Sequence, residues 1–131
     1  MQIKSTAGEG LTVRGVFTVS EHHQGAPGLA HGGLLTAAMD DVLGSLNWLI
    51  LVAAVTGRLE VDFRMPVPVG SVLVIDGANV GQERRKIYTE GTARLGSATG
   101  PIACEATGLF IQVPMEHFGE HALANGLEFK P

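Results

Sequence analysis

The chain has 131 residues, of which 45% are hydrophobic, and a formal net charge of −4, so it is read as one domain over residues 1–131 that buries a core of its own. The acidic balance, with Arg84-Arg85-Lys86 as the only basic run, provides no field for a nucleic-acid backbone and argues against a nucleic-acid partner. A single cysteine, Cys104, excludes an internal disulfide framework, and the absence of signal-peptide blocks and of any uncharged run of membrane length predicts a cytoplasmic protein with no membrane partner.

In chain order, Leu11 to Ser20 alternates apolar and polar positions, as a half-buried strand does. Glu21 to Ala30 carries two histidines, two glycines and a proline and reads as a conformationally restricted loop. From about Gly33 to Ala54 the chain is rich in Leu and Ala with no interior proline, which predicts one long helix. After Gly57 the period changes to two, with Leu59, Val61 and Phe63 opposite Glu60, Asp62 and Arg64 until Pro66 and Pro68 end the ladder. Gly70 to Val80, Arg85 to Leu95 and Ile102 to Val113 follow as strands, the first two separated by a turn at Gly81-Gln82-Glu83-Arg84. The core therefore spans about 11–113, followed by a polar tail at 116–131.

These elements describe an α+β unit in which a curved antiparallel sheet of five or six strands wraps one central helix. The helix is apolar nearly all round, and a sheet of this size leaves part of it and the strand edges uncovered; a second copy would cover both.

The stretch from Gln24 to Gly44 carries the chemistry. Glycines at 25, 28, 32 and 33 allow close backbone approach, and the first amides of the following helix have no intrahelical partner and lie at its positive end, a setting suited to an oxyanion. Asp40 and Asp41 are about 100° apart on the helix, so only one of them faces a given pocket. His22, His23 and His31 lack partners at recognisable ligand spacing, and no metal is expected. Nothing matches a phosphate-binding Gly-rich loop or a serine nucleophile elbow.

Gln24-Gly25-Ala26-Pro27-Gly28, His31-Gly32-Gly33, Asp40, Thr56 and Asp62-Phe63-Arg64-Met65-Pro66-Val67-Pro68, in this order of elements, resemble the hotdog-fold acyl-CoA thioesterases, and within them the PaaI-type branch. The resemblance implies hydrolysis of an acyl-CoA thioester with Asp40 as base or nucleophile. It implies an oxyanion donor at the Gly32 amide, a turn fixed by His31, an orienting hydroxyl at Thr56 and a polar amide at Gln24. Gly33 belongs to the same turn, while Leu34, Leu35, Ala38, Trp48 and Phe63 are candidates for an apolar pocket wall. Arg84 and Arg85 are candidates for the phosphates of coenzyme A, because guanidinium forks match phosphate oxygens. Coenzyme A enters as part of the substrate, and no separate cofactor is expected.

His31 and Asp40 are nine positions apart, about 13 Å along a helix and on opposite faces, so one chain does not bring them to one carbonyl. Two copies related by a two-fold axis do, as the family implies, giving a homodimer or homotetramer. Two alternatives remain: an acyl-CoA-binding module without turnover, and an enoyl-thioester hydratase or dehydratase.

Overall fold

The computed structural model describes residues 2–6, 11–50 and 52–114. Along it run β1 (Gln2–Thr6), β2 (Thr12–Thr18), a single 3-10 turn (Glu21–His23), α1 (Gly32–Leu49), β3 (Ala54–Phe63), β4 (Val72–Glu83), β5 (Lys86–Leu95) and β6 (Ile102–Gln112). The six strands form one sheet in the order β1-β2-β4-β5-β6-β3, antiparallel throughout, with α1 laid across one face. This is the expected α+β hotdog architecture.

Alternation sets which face of each strand meets the helix. Val13 and Gly15 of β2 are buried between exposed Arg14 and Val16, and β5 buries Ile87, Thr89, Gly91 and Ala93 in the same rhythm. The helix answers with Leu35, Met39, Val42, Leu43 and Leu46, spaced three and four apart along one stripe. Gly77 and Gly91 are cross-strand partners beneath Leu43, and a Cβ at either would lie 3.0 Å from its Cδ2. Their bare backbone is a socket that lets the helix approach the sheet, and burial of a leucine of this kind contributes roughly 1.5–3 kcal/mol.

Three boundaries differ from the sequence expectation. A strand, β1, pairs with β2 ahead of the core that was expected to start near residue 11. The helix ends at Leu49 rather than Ala54: Ile50 leaves helical geometry (φ −101°, ψ 12°), and the Val52 amide donates back to the Asn47 carbonyl. Ile50, Val52, Val55 and Thr56 are β-branched, and their preference for extended backbone wins over the apolar run that suggested helix. Consequently β3 begins at Ala54, and Gly57 lies inside it at a bulge between Thr56 and Arg58. There, a Cβ would come within 2.9 Å of Ile111 Cγ1, so the residue that looked like a strand boundary is a close approach within the strand. The β4–β5 turn also moves, to Arg84-Arg85 with Arg84 at φ 56°, because an irregularity between Asn79 and Gly81 lets β4 continue to Glu83. The tail from Glu116 lies outside the described residues.

Candidate active site

α1 begins in a tightly organised turn. His31 is its N-cap, in extended geometry (φ −71°, ψ 131°), and its Nδ1 accepts a hydrogen bond from the Gly33 amide at 2.9 Å. An acceptor at Nδ1 requires the neutral ring with its proton on Nε2. The His31 amide itself donates to the His23 carbonyl at 2.7 Å, and the His31 carbonyl takes the amides of Leu34 and Leu35. These bonds account for the amides at 31, 33, 34 and 35. Among the described residues the Gly32 amide has no acceptor, and it sits in the first helical position, where the dipole is positive.

The cap gives a stability expectation. His31→Ala removes the acceptor for the Gly33 amide and should cost roughly 1 kcal/mol in urea-induced unfolding, whereas His31→Asn, whose Oδ1 can accept in the same way, should recover most of it.

Gly32 borders a cleft of about 400 Å³ lined by Leu29, Leu35, Phe63, Met65 and Val67, among others. A Cβ at Gly32 would stand 3.6 Å from Phe63 Cζ, so the Phe63 ring, half exposed at the end of the edge strand β3, packs beside Gly32. Met65 and Val67 entered the sequence reading only as part of a motif, and neither they nor Leu29 were expected as cleft lining. The signal was available in the proline-bounded stretch after β3, which returns to pair with the loop at Leu29↔Pro68.

The second centre lies along the helix. Asp40 is half-buried, and its Oδ1 accepts the Thr56 hydroxyl at 2.8 Å. Thr56 reaches it because β3 starts early and the Gly57 bulge sets the inward face of the strand at that point. No hydrogen bond to Asp40 Oδ2 is present among the described residues, so one carboxylate oxygen is oriented and the other is open. Asp41 points elsewhere and is exposed; partial desolvation, and then the charge of Asp40, push its carboxyl above the usual range.

The remaining candidates divide. Gln24 braces its own loop, its Oε1 accepting the Gly28 amide at 3.1 Å. Leu34 is half-buried in the first helical turn, and the Gly33 amide is taken by His31. Trp48 is 42% exposed, two turns beyond Asp40. Arg84 and Arg85 lie at the β4–β5 turn, where the Arg85 carbonyl accepts the Gln112 amide. Because Gln112 pairs with Ala54, this is the Thr56 end of β3, opposite the Phe63 end. Within one chain, then, Thr56 joins Asp40 and Phe63 joins Gly32, while Trp48, Arg84 and Arg85 stand away from the Gly32 cleft. His23 is held by the Ser20 amide at its Nδ1, and the described residues contain no group of three or more His, Cys, Asp or Glu able to hold a metal. A larger concavity, about 890 Å³, lies on the sheet face away from α1 among Glu60, Asp62, Asp76, Glu90 and Glu105, and it contains neither the free amide nor the oriented carboxylate. No helix among the described residues is long and apolar enough to cross a membrane.

Residues 27–100 match the family model described as the thioesterase superfamily. Among curated proteins the chain is 36% identical over 101 residues to acyl-coenzyme A thioesterase THEM4 of Bos taurus, covering 77% of this chain and 41% of that protein. It is 31% identical to acyl-coenzyme A thioesterase THEM5 of Mus musculus, covering 77% and 40%. The chain thus spans about two fifths of the length of these curated relatives. Among solved structures it resembles a Streptococcus mutans protein bound to acetyl-CoA, with TM-score 0.75, 20% identity, and 86% and 90% of the two chains covered. It also resembles PaaI of the E. coli phenylacetic acid degradation operon, with TM-score 0.72, 17% identity, and coverage of 86% and 80%.

Proposed function

We propose that this chain, which belongs to the thioesterase superfamily, hydrolyses an acyl-CoA thioester to the free acid and coenzyme A at a site shared by two copies. The observation that carries the reading is the pairing of two preorganised groups: a carboxylate oriented by Thr56 at Asp40, and a helix-terminal amide left free at Gly32 by the His31 cap.

Asp40 and Gly32 are eight residues apart on one helix, about 12 Å along its axis, too far to serve one carbonyl. The outer edge of β3 supplies the remedy. It is an edge strand of 10 residues with Val55 and Phe63 exposed to 42% and 50%. A second copy adding antiparallel to this edge covers the unpaired backbone and sets the Phe63 end of one protomer beside the Thr56 end of the other. Gly32 of one copy then meets Asp40 of its partner across the cleft. Arg84 and Arg85, at the Thr56 end, likewise approach the partner's cleft, where they would hold the phosphates of coenzyme A. The assembly is a dimer, or two such dimers packed as a tetramer.

In this arrangement the thioester carbonyl oxygen accepts from the Gly32 amide, which holds the negative charge that develops there. Asp40 takes a proton from the attacking water, or attacks the carbonyl itself to give a mixed anhydride that water then opens. On either route the carbon–sulfur bond breaks, the coenzyme A thiolate is protonated and leaves, and the acid is released. Carboxylate and amide supply the chemistry without a separate cofactor, and the single-cysteine composition supports a cytoplasmic setting. The reading is tested by thiol release from a panel of short, long and aromatic acyl-CoA esters. Release is the expected result; an enoyl-CoA that loses its conjugated absorbance without releasing thiol would replace hydrolysis with hydration.

A further inference from the structure

The His31 ring lies between two glycines. A Cβ at Gly33 would stand 3.1 Å from its Cε1 and Nδ1, and a Cβ at Gly25 would stand 3.3 Å from its Cδ2 and 3.1 Å from the His31 Cα, all closer than the 3.4–4 Å of ordinary van der Waals contact. Backbone conformation demands glycine at neither position, since the described glycines with positive φ are Gly28, Gly70 and Gly96. Gly33 is even a poor choice for the second residue of α1, where alanine would favour the helix. What the two positions share is the imidazole. Neither wall retreats cheaply. Gly33 is fixed in the helix, and the loop of Gly25 is tied down on all sides: the Gly25 amide donates to the Leu29 carbonyl at 2.9 Å, the Ala30 amide to the Val67 carbonyl at 2.8 Å and the Val69 amide to the Gly28 carbonyl at 2.8 Å.

We infer that Gly25 and Gly33 are positioning residues for the oxyanion donor. Their missing side chains form a slot that holds the His31 ring where its Nδ1 takes the Gly33 amide, which leaves the Gly32 amide as the donor without an internal acceptor. The inference rests on the proposed thioester hydrolysis and names what sets its donor. A ring displaced from the slot loses the 2.9 Å bond from Gly33, and Gly32, held between the cap residue and Gly33, shifts with them. Such a shift matters because an oxyanion donor is effective only within about 2.7–3.1 Å of the oxygen it stabilises. Gly25 and Gly33 act through His31 and touch no reacting atom.

The test is a double-mutant cycle on Gly33→Ala and His31→Ala, read by Tm and by kcat and KM for thiol release from the best ester of the panel. With His31 in place, the new methyl group pushes the ring out of the slot, so the gain in helix propensity is offset by the lost cap and Tm should not rise. In the same variant kcat should fall about tenfold at unchanged KM, a smaller loss than the roughly 10² that a 1 Å misplacement brings. With the ring already removed, Gly33→Ala should raise Tm by a few degrees and change kcat by less than about twofold further. Gly25→Ala, at the other wall, should also lower kcat about tenfold at unchanged KM. An equal rise in Tm in both backgrounds, an equal fall in kcat in both, or full activity in Gly25→Ala would each overturn the inference. Failure of the wild-type protein to release thiol would sink the hydrolytic reading, while the Tm cycle would still decide the slot.

Discussion

Asp40→Asn is expected to lower kcat for thiol release by about 10²–10⁴-fold, the range contributed by a positioned acid–base group. The substitution preserves shape, and an asparagine Oδ1 can still accept the Thr56 hydroxyl, so the local geometry at 2.8 Å has no reason to change. What disappears is the basic oxygen at Oδ2. The measurement is kcat and KM in a continuous thiol assay with circular dichroism as the control for folding. A loss confined to kcat places Asp40 in the chemical step, and turnover within twofold of wild type removes it from the mechanism. Thr56→Val acts on the same carboxylate at one remove and belongs in the same series as the milder variant.

Gly32→Pro should be nearly silent for the fold and severe for catalysis. Proline is favoured at the first helical position, where its missing N–H breaks no intrahelical bond. His31, at φ −71° and ψ 131°, already has the extended geometry that a following proline imposes. A Cβ at position 32 would meet Phe63 at an ordinary 3.6 Å. The one thing removed is the amide donor, and loss of such a donor typically costs about 10²–10³ in kcat. Retained Tm with a fall of that size identifies the Gly32 amide as the oxyanion donor. Retained Tm with unchanged kcat would show that the oxygen is held elsewhere.

How far the sequence could be read depended on whether a signal was local. Alternation in β2, β5 and β6 and the leucine spacing of α1 were legible because each reports one face of one element. The end of α1 was not. The apolar residues up to Ala54 suited a continuing helix and Gly57 a boundary beyond it, and only the tertiary pairing of Ala54–Thr56 with Phe110–Gln112 decides for strand. The Asp40–Thr56 contact depended on that same pairing: the two residues are 16 apart in sequence, and the resemblance rather than their spacing brought them together. His31 as a turn-fixing residue was visible as a type of role, but the selective consequence, a bonded Gly33 amide and a free Gly32 amide, needs coordinates. The unpaired Oδ1 of buried Asn47 is a property of tertiary packing and has no sequence signature.

The shared site is tested most directly by mixing two inactive homodimers, Asp40→Asn and Gly32→Pro, under conditions that allow subunits to exchange. If Gly32 of one copy serves Asp40 of the other, each mixed dimer contains one site with both lesions and one with neither. Half of the dimers in a 1:1 mixture are then mixed, and activity should rise to about a quarter of the wild-type value per protomer. If subunit exchange is verified by mass and no activity returns, the two groups act within one chain and the account of a site built across two copies is wrong.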